Sequence, residues 1–352
     1  LDEIPEVDAV LGTTAYDQIL DAVDEALKGQ NSVRMEDLQR LPKVEAKRQV
    51  TTGGHFAYMK IAEGCDKHCT YCIIPKIRGR FRSRPMEELI REAEELAEQG
   101  VKELILVAQE TTLYGKDLYG EKSLPVLLRK LCKISGLRWI RVLYCYPEEI
   151  TDELIRVMKE EPKICHYLDL PIQHANDDIL KRMGRKTSKQ ELIDIVGKLR
   201  KEIPDICLRT TLITGFPGET QEQYEELYRF VSEMEFDRLG VFTYSPEEDT
   251  PAALMPDQIE ESVKEERQAE LMELQQEIAF EAAENMVGKE VLVMIEGKVA
   301  DENVYVGRTY KDAPNIDGLI FVETGVELVS GDFAKVRVTG ALEYDLIGGI
   351  EE

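Results

Sequence analysis

The stretch Glu63-Gly64-Cys65-Asp66-Lys67-His68-Cys69-Thr70-Tyr71-Cys72-Ile73-Ile74-Pro75 holds three of the chain's seven cysteines, spaced C-x3-C-x2-C. Thiolates bind iron–sulfur clusters, and a loop this short brings three sulfurs onto one cubane. A closed site takes a fourth cysteine nearby, as structural zinc also does. The next one here is Cys132. The economical reading is a [4Fe–4S] cluster on Cys65, Cys69 and Cys72, with one iron open to another ligand. A four-ligand zinc site that recruits His68 is the rival. The odd cysteine count argues against a disulfide framework, and no charged-then-apolar leader opens the sequence.

At 352 residues and 43% hydrophobic content, the chain can bury the cores of two or three domains. No apolar run is long enough to span a bilayer, so a cytoplasmic, reducing setting is expected, which suits an exposed cluster. The net charge of −25, from 69 acidic and 44 basic residues, favours a basic partner and repels polyanions.

Residues 1–35 read as the C-terminal remnant of an α/β domain. The segment 7–11 is strand-like, and Tyr16, Ile19, Leu20, Val23 and Leu27 recur at helical spacing. One strand and one helix do not make a domain, so its earlier part is expected to lie outside this sequence. A polar linker fills 36–52. Across 53–255 strands and helices alternate. Strands are predicted at 56–61, 104–108, 140–144, 167–170, 207–213 and 239–243. Helices are predicted at 86–98, 124–134, 152–159, 177–183, 189–201 and 221–233. The run 104–108 is continuously apolar, as in a parallel strand covered on both faces. These units predict an α/β fold whose parallel sheet curls into a partial (β/α)6 barrel, with sites at the C-terminal ends of its strands. A connecting helix over 256–285 is expected to open on a capping box of Asp257 and Glu260, bury Ile259, Val263, Leu271, Leu274 and Ile278, and stop at Gly288. Short alternating runs in 286–352 predict an antiparallel β-barrel of about five strands.

Polar motifs fall where the strands end. Gln109-Glu110-Thr111 follows the second strand, where a carboxylate suits an ammonium group; a helix-capping cluster is the plainer reading. Leu168-Asp169-Leu170-Pro171-Ile172-Gln173-His174-Ala175 closes the fourth and runs through Asn176, a helix cap, to Arg185. Gly215-Phe216-Pro217-Gly218-Glu219-Thr220 closes the fifth, its glycines suited to a sharp turn or a close ligand approach. Cys132, Cys145, Cys165 and Cys207 lie in apolar runs and read as packed small hydrophobes.

With Tyr71 before its last cysteine, the triad resembles the signature of the radical S-adenosylmethionine (SAM) superfamily. The stretch 168–185 resembles the methylthiotransferase branch of that superfamily. Gln173-His174-Ala175 is similar to the form found in members that act on a ribosomal protein, whereas tRNA-modifying members more often carry Gln-Ser-Gly. The resemblance implies that SAM occupies the open iron and that Gln109 or Glu110 meets its amino group. It implies further that Tyr71 and Gln173 border SAM, and that Gly215, Phe216, Gly218 and Glu219 form the turn against its adenosine. His174 is the candidate catalytic side chain. A TRAM domain as the C-terminal barrel and an electron donor such as flavodoxin or ferredoxin are also implied. So is a second [4Fe–4S] cluster on an N-terminal domain, although residues 1–64 hold no cysteine. The implied activity is a radical transfer of a methylthio group to the β-carbon of an aspartate in small-subunit ribosomal protein twelve, consuming two SAM.

Residues 286–352 contain six basic and thirteen acidic residues, a net of −7. Nucleic-acid affinity rests largely on Lys and Arg neutralising phosphates. Direct nucleic-acid binding is therefore not expected, and a strongly basic ribosomal protein is the expected partner. A tRNA adenosine methylthiotransferase shares the scaffold and would be distinguished by salt-sensitive tRNA binding. A non-catalytic protein-binding module with a structural cluster would be distinguished by failure to cleave SAM on reduction.

Overall fold

The computed structural model describes residues 4–42 and 48–350, so residues 43–47 of the 36–52 linker lie outside the described residues. Six strands make the central sheet: β1 Phe56–Lys60, β2 Glu103–Val107, β3 Trp139–Val142, β4 Ile164–Asp169, β5 Cys207–Thr214 and β6 Arg238–Thr243. They pair in sequence order and all in parallel, and β1 and β6 remain unpaired with each other, so the barrel is partial. The longer helices around it are α1 Met86–Glu98, α2 Leu124–Cys132, α3 Asp152–Glu160, α4 Lys189–Glu202, α5 Gln221–Met234 and α6 Glu261–Glu284. The two-residue period of a strand explains the layering. Leu104 and Leu106 of β2 join the helix-side core with Leu89, Ala93 and Leu96 of α1, while Ile105 turns to the inner face. Ser188 and Glu191 open α4, and Thr220 and Gln223 open α5, each pair as a reciprocal capping box.

A closed barrel of β7 Glu290–Lys298, β8 Val304–Arg308, β9 Ile320–Glu323, β10 Phe333–Ala341 and β11 Leu346–Gly349 completes the fold. It departs from the expected antiparallel arrangement at one seam, where β9 and β11 pair in parallel. This barrel packs against the inner face of the sheet. Phe56, Ile105, Trp139, Cys165, Tyr167 and Cys207 share one buried cluster with its Met294 and Ala313. Trp139 and Phe333 meet edge-to-face at 4.9 Å. At the centre lies Glu103, fully buried, whose carboxylate accepts from Arg141 Nε and Arg308 Nη2, both at 2.7 Å. Arg141 Nη1 also donates to the Tyr310 carbonyl (2.7 Å), and the Tyr167 hydroxyl donates to Asp317 (2.7 Å).

Two sequence expectations need correction. Polar composition hid a strand, Ser32–Arg34, which pairs in parallel with Ala9–Leu11. The connecting helix starts at Glu261, later than expected, and the Asp257/Glu260 capping box does not form. Asp257 instead has φ +60° and its carbonyl accepts from Gly218 N (2.7 Å). The buried line of α6 is Lys264, Arg267, Leu271, Gln275, Ala279 and Ala283; of the expected stripe, only Leu271 is fully buried. The reason is that its long polar side chains have fixed partners: Lys264 Nζ donates to the Tyr244 carbonyl (2.9 Å) and Gln275 Nε2 to the Phe236 carbonyl (2.9 Å). The helix ends at Glu284, ahead of Gly288.

Candidate functional site

Beyond β1, a small ribbon of Ala62–Glu63 against Arg82–Ser83 brackets the cysteine loop at the rim of the sheet. Gly64 turns the chain there with φ +78°, and a Cβ would overlap the Arg80 carbonyl. Its N–H donates to Gln109 Oε1 (2.8 Å), while Cys65 N donates to the Gly79 carbonyl (3.2 Å). Thr70 anchors the far side: its N donates to Met183 O (3.0 Å) and its hydroxyl to Arg182 O (2.8 Å). Lys67 Nζ pairs with Glu148 (3.1 Å) and Glu149 (2.5 Å).

Cys65 and Cys69 are buried and Cys72 half-buried, while His68 is exposed. Lys67 N donates to Cys65 Sγ at 3.4 Å. Burial pushes the Cys65 thiol up to about 11 and raises Cys72 as well. Thiols so placed become thiolates only opposite a cationic centre, which is what a metal cluster provides. Among the described residues, no three His, Cys, Asp or Glu side chains stand close enough to share a single metal ion. A cubane differs, because each thiolate takes its own iron. Three thiol donors from one loop, without a fourth nearby in sequence, fit a [4Fe–4S] cluster held at three of its irons.

Glu110, just past β2, is fully buried. Its Oε1 accepts from Thr112 N (2.9 Å) and from the Thr112 hydroxyl, and its Oε2 has no partner. Burial raises the carboxyl from its ordinary 4.5 to about 7. A buried acceptor left over at the rim calls for a cation, and SAM carries one in its ammonium group. Gln109 is committed to the cysteine loop through Gly64, so Glu110 is the member of the pair with capacity to spare.

Past β4, Gln173 adopts φ +72° and is stitched to β5 by its backbone, its N donating to Thr211 O (2.9 Å) and its carbonyl accepting from Ile213 N (2.9 Å). His174 is fully buried. Its Nε2 lies 3.0 Å from Glu219 Oε1 and its Nδ1 accepts from Asn176 N at 2.9 Å. With both nitrogens engaged, it braces the loop and presents no free nitrogen to a substrate. Asn176 caps the short helix Asp177–Arg182 through Asp178 N and Ile179 N. Glu219 completes the brace, accepting from Gly215 N (2.5 Å) and from Arg267 Nη1 (2.7 Å). Phe216 packs with Ile179, Met183, Tyr244 and Ala252, and Tyr71 packs against the same cluster. Gly215 and Gly218 have φ of +68° and +74°. A Cβ on the first would overlap the Lys264 side chain, and on the second the Arg182 guanidinium. Both glycines thus make room for side chains behind the turn. Lys264 and Arg267 belong to the site's support, and sequence reading passed them over as part of a solvated helix. Cys132, Cys145, Cys165 and Cys207 are buried.

The profile of the radical SAM superfamily matches residues 59–231, and that of the TRAM domain matches 287–350. The chain is 65% identical over 351 residues to the ribosomal protein uS12 methylthiotransferase RimO of Lachnoclostridium phytofermentans, covering 100% of this chain and 80% of that protein. It is 52% identical to the RimO of Clostridium perfringens, over 99% of this chain and 78% of that one. Among solved structures, the radical SAM methyltransferase TsrM of Kitasatospora setae superposes with a TM-score of 0.51 at 15% identity, covering 83% of this chain and 58% of that one, a likeness of fold. Among the described residues, no helix is long and apolar enough to cross a membrane. By sequence, by domain content and by fold, the chain belongs to the radical SAM methylthiotransferases, in the RimO family.

Proposed function

We propose that this chain acts on ribosomal protein uS12, placing a methylthio group on the β-carbon of one of its aspartates. The observation that carries the reading is the partnerless Oε2 of Glu110 at the same rim as a loop of three cysteines. Cys65, Cys69 and Cys72 would hold a [4Fe–4S] cluster with one open iron, and Glu110 would take SAM's ammonium. When bound, these groups supply reductive cleavage of SAM and a radical able to take hydrogen from a C–H bond that no side-chain base removes at neutral pH.

The chain's own part is binding and orientation. The turn from Gly215 to Glu219, held from behind by His174 and Arg267, offers a fixed backbone surface for the adenosine. Tyr71 and Gln173 would border SAM, as the family resemblance implies. The second cluster implied by the methylthiotransferase resemblance finds no cysteine in residues 1–64. We assign it to the part of the relatives outside the matched 80% of their length. The net charge of −7 over 286–352 suits a basic ribosomal protein. The electron donor would be a flavodoxin or ferredoxin, and work on a ribosomal protein belongs in the cytoplasm.

The test has two stages. Anaerobically reconstituted protein, reduced in the presence of SAM, is expected to release methionine and deoxyadenosine. The two-cluster enzyme is then incubated with ribosomal subunits, and the uS12 peptide is expected to gain one methylthio group by mass spectrometry. Modified tRNA beside an unshifted uS12 peptide would replace this substrate with the RNA one.

A further inference from the structure

A buried cation beside the cysteine loop has no role in the reading so far. Arg185 is only 7% exposed. Its Nη2 donates to the Pro171 carbonyl (2.9 Å), but its Nε and Nη1 are buried without partners. Its guanidinium stacks on the Tyr146 ring, 4.2 Å from the centroid, and Lys67 Nζ lies 4.8 Å from the same centroid. The Tyr146 hydroxyl lies 3.6 Å from Cys69 Sγ. A metal-bound thiolate carries no proton, so in the loaded protein the hydroxyl must be the donor. Two cations against one ring draw electron density from it and make that hydroxyl the better donor. The nearby carboxylate of Glu148 already serves Lys67 and the Thr187 hydroxyl (2.9 Å). Two buried guanidinium nitrogens are therefore left for an anion that the protein's side chains do not supply.

We propose that Arg185 and Tyr146 are positioning residues that set the reduction potential of the cluster Cys69 helps to hold. The inference rests on Cys69 being a cluster ligand. Three thiolates make such a cluster anionic overall, and one-electron reduction makes it more so. A fixed cation and a hydrogen bond to the ligating sulfur therefore favour the reduced state and raise the potential.

The test is an EPR-monitored redox titration of the anaerobically reconstituted full chain, without SAM, with iron and sulfide measured in every sample. Arg185→Met is expected to retain the cluster while its reduced-to-oxidised ratio at a fixed potential falls about tenfold, or about 59 mV for a one-electron couple. Tyr146→Phe is expected to shift the same way by less. Arg185→Lys, which keeps the charge but loses the planar stack, is expected to fall between wild type and Arg185→Met. If Arg185→Met loses the cluster through misfolding, Tyr146→Phe and Arg185→Lys decide. Unchanged potentials in cluster-loaded variants overturn the proposal. So does a shift seen only after SAM is added, which would assign Arg185 to the carboxylate of SAM. A wild-type protein that binds no cluster would instead remove the reading of Cys69 itself, and the iron assay separates the two failures.

Discussion

Replacing Glu110 by glutamine separates burial from function at one atom. The carboxyl is displaced from an ordinary 4.5 to about 7 by burial. At 1.36 kcal/mol per unit, that displacement is about 3 kcal/mol. The folded, SAM-free protein holds the proton more tightly than the unfolded chain does. The associated stability is therefore complete below pH 4.5 and is lost as pH rises towards 7 and beyond. Most of it disappears between pH 5 and pH 8. Glutamine stays neutral and escapes this loss. Urea denaturation of both SAM-free proteins at the two pH values should show wild type losing about 2–3 kcal/mol more than Glu110→Gln. SAM binding should respond in the opposite sense. A charge-assisted bond to the ammonium contributes about 1.5–3 kcal/mol, so the variant should bind SAM roughly tenfold to a hundredfold more weakly at pH 8. Wild-type affinity should also fall about tenfold from pH 8 to pH 6 as the carboxylate takes up its proton. Parallel pH–stability curves together with equal SAM affinities would refute both the burial argument and the assigned ligand.

Other perturbations test the frame around the site. Glu103→Ala leaves Arg141 and Arg308 facing each other with no central carboxylate, and should cost about 3–5 kcal/mol, read by urea denaturation and by faster proteolytic release of the C-terminal barrel. Gly215→Ala places a side chain at φ +68° against Lys264, and should cost about 1–3 kcal/mol, visible as a lower Tm. Ser188→Ala removes one half of the capping box of α4 and should cost about 1 kcal/mol, with SAM affinity unchanged.

The strand-and-helix alternation was readable because short β-forming runs, the continuously apolar 104–108 among them, alternate with helices that are apolar along one face. The register of α1, Met86–Glu98, follows directly from Met86, Leu89, Ala93 and Leu96. The cysteine loop was readable for a chemical reason, since three thiols so close together have few uses. What escaped notice was every polar side chain whose meaning lies in a distant partner. Lys264 and Arg267 sit among glutamates and look solvated, yet they reach back to Tyr244 and Glu219. Arg185 closes a recognisable stretch, but its place beside Tyr146 depends on two loops separated in the chain. His174 stood out as a candidate for chemistry; its burial against Glu219 is a tertiary fact. Likewise, Glu103 lies one residue before an apolar run, and only the barrel packed beneath it explains a buried acid there.

The buried side chains of Trp139, Tyr167, Arg141 and Arg308 tie the C-terminal barrel to the inner face of the sheet. The strand ends that carry the cysteines and Glu110 therefore rise from the same strands that seat the barrel. A change that loosens the barrel should thus be felt at the cluster loop as well as in overall stability.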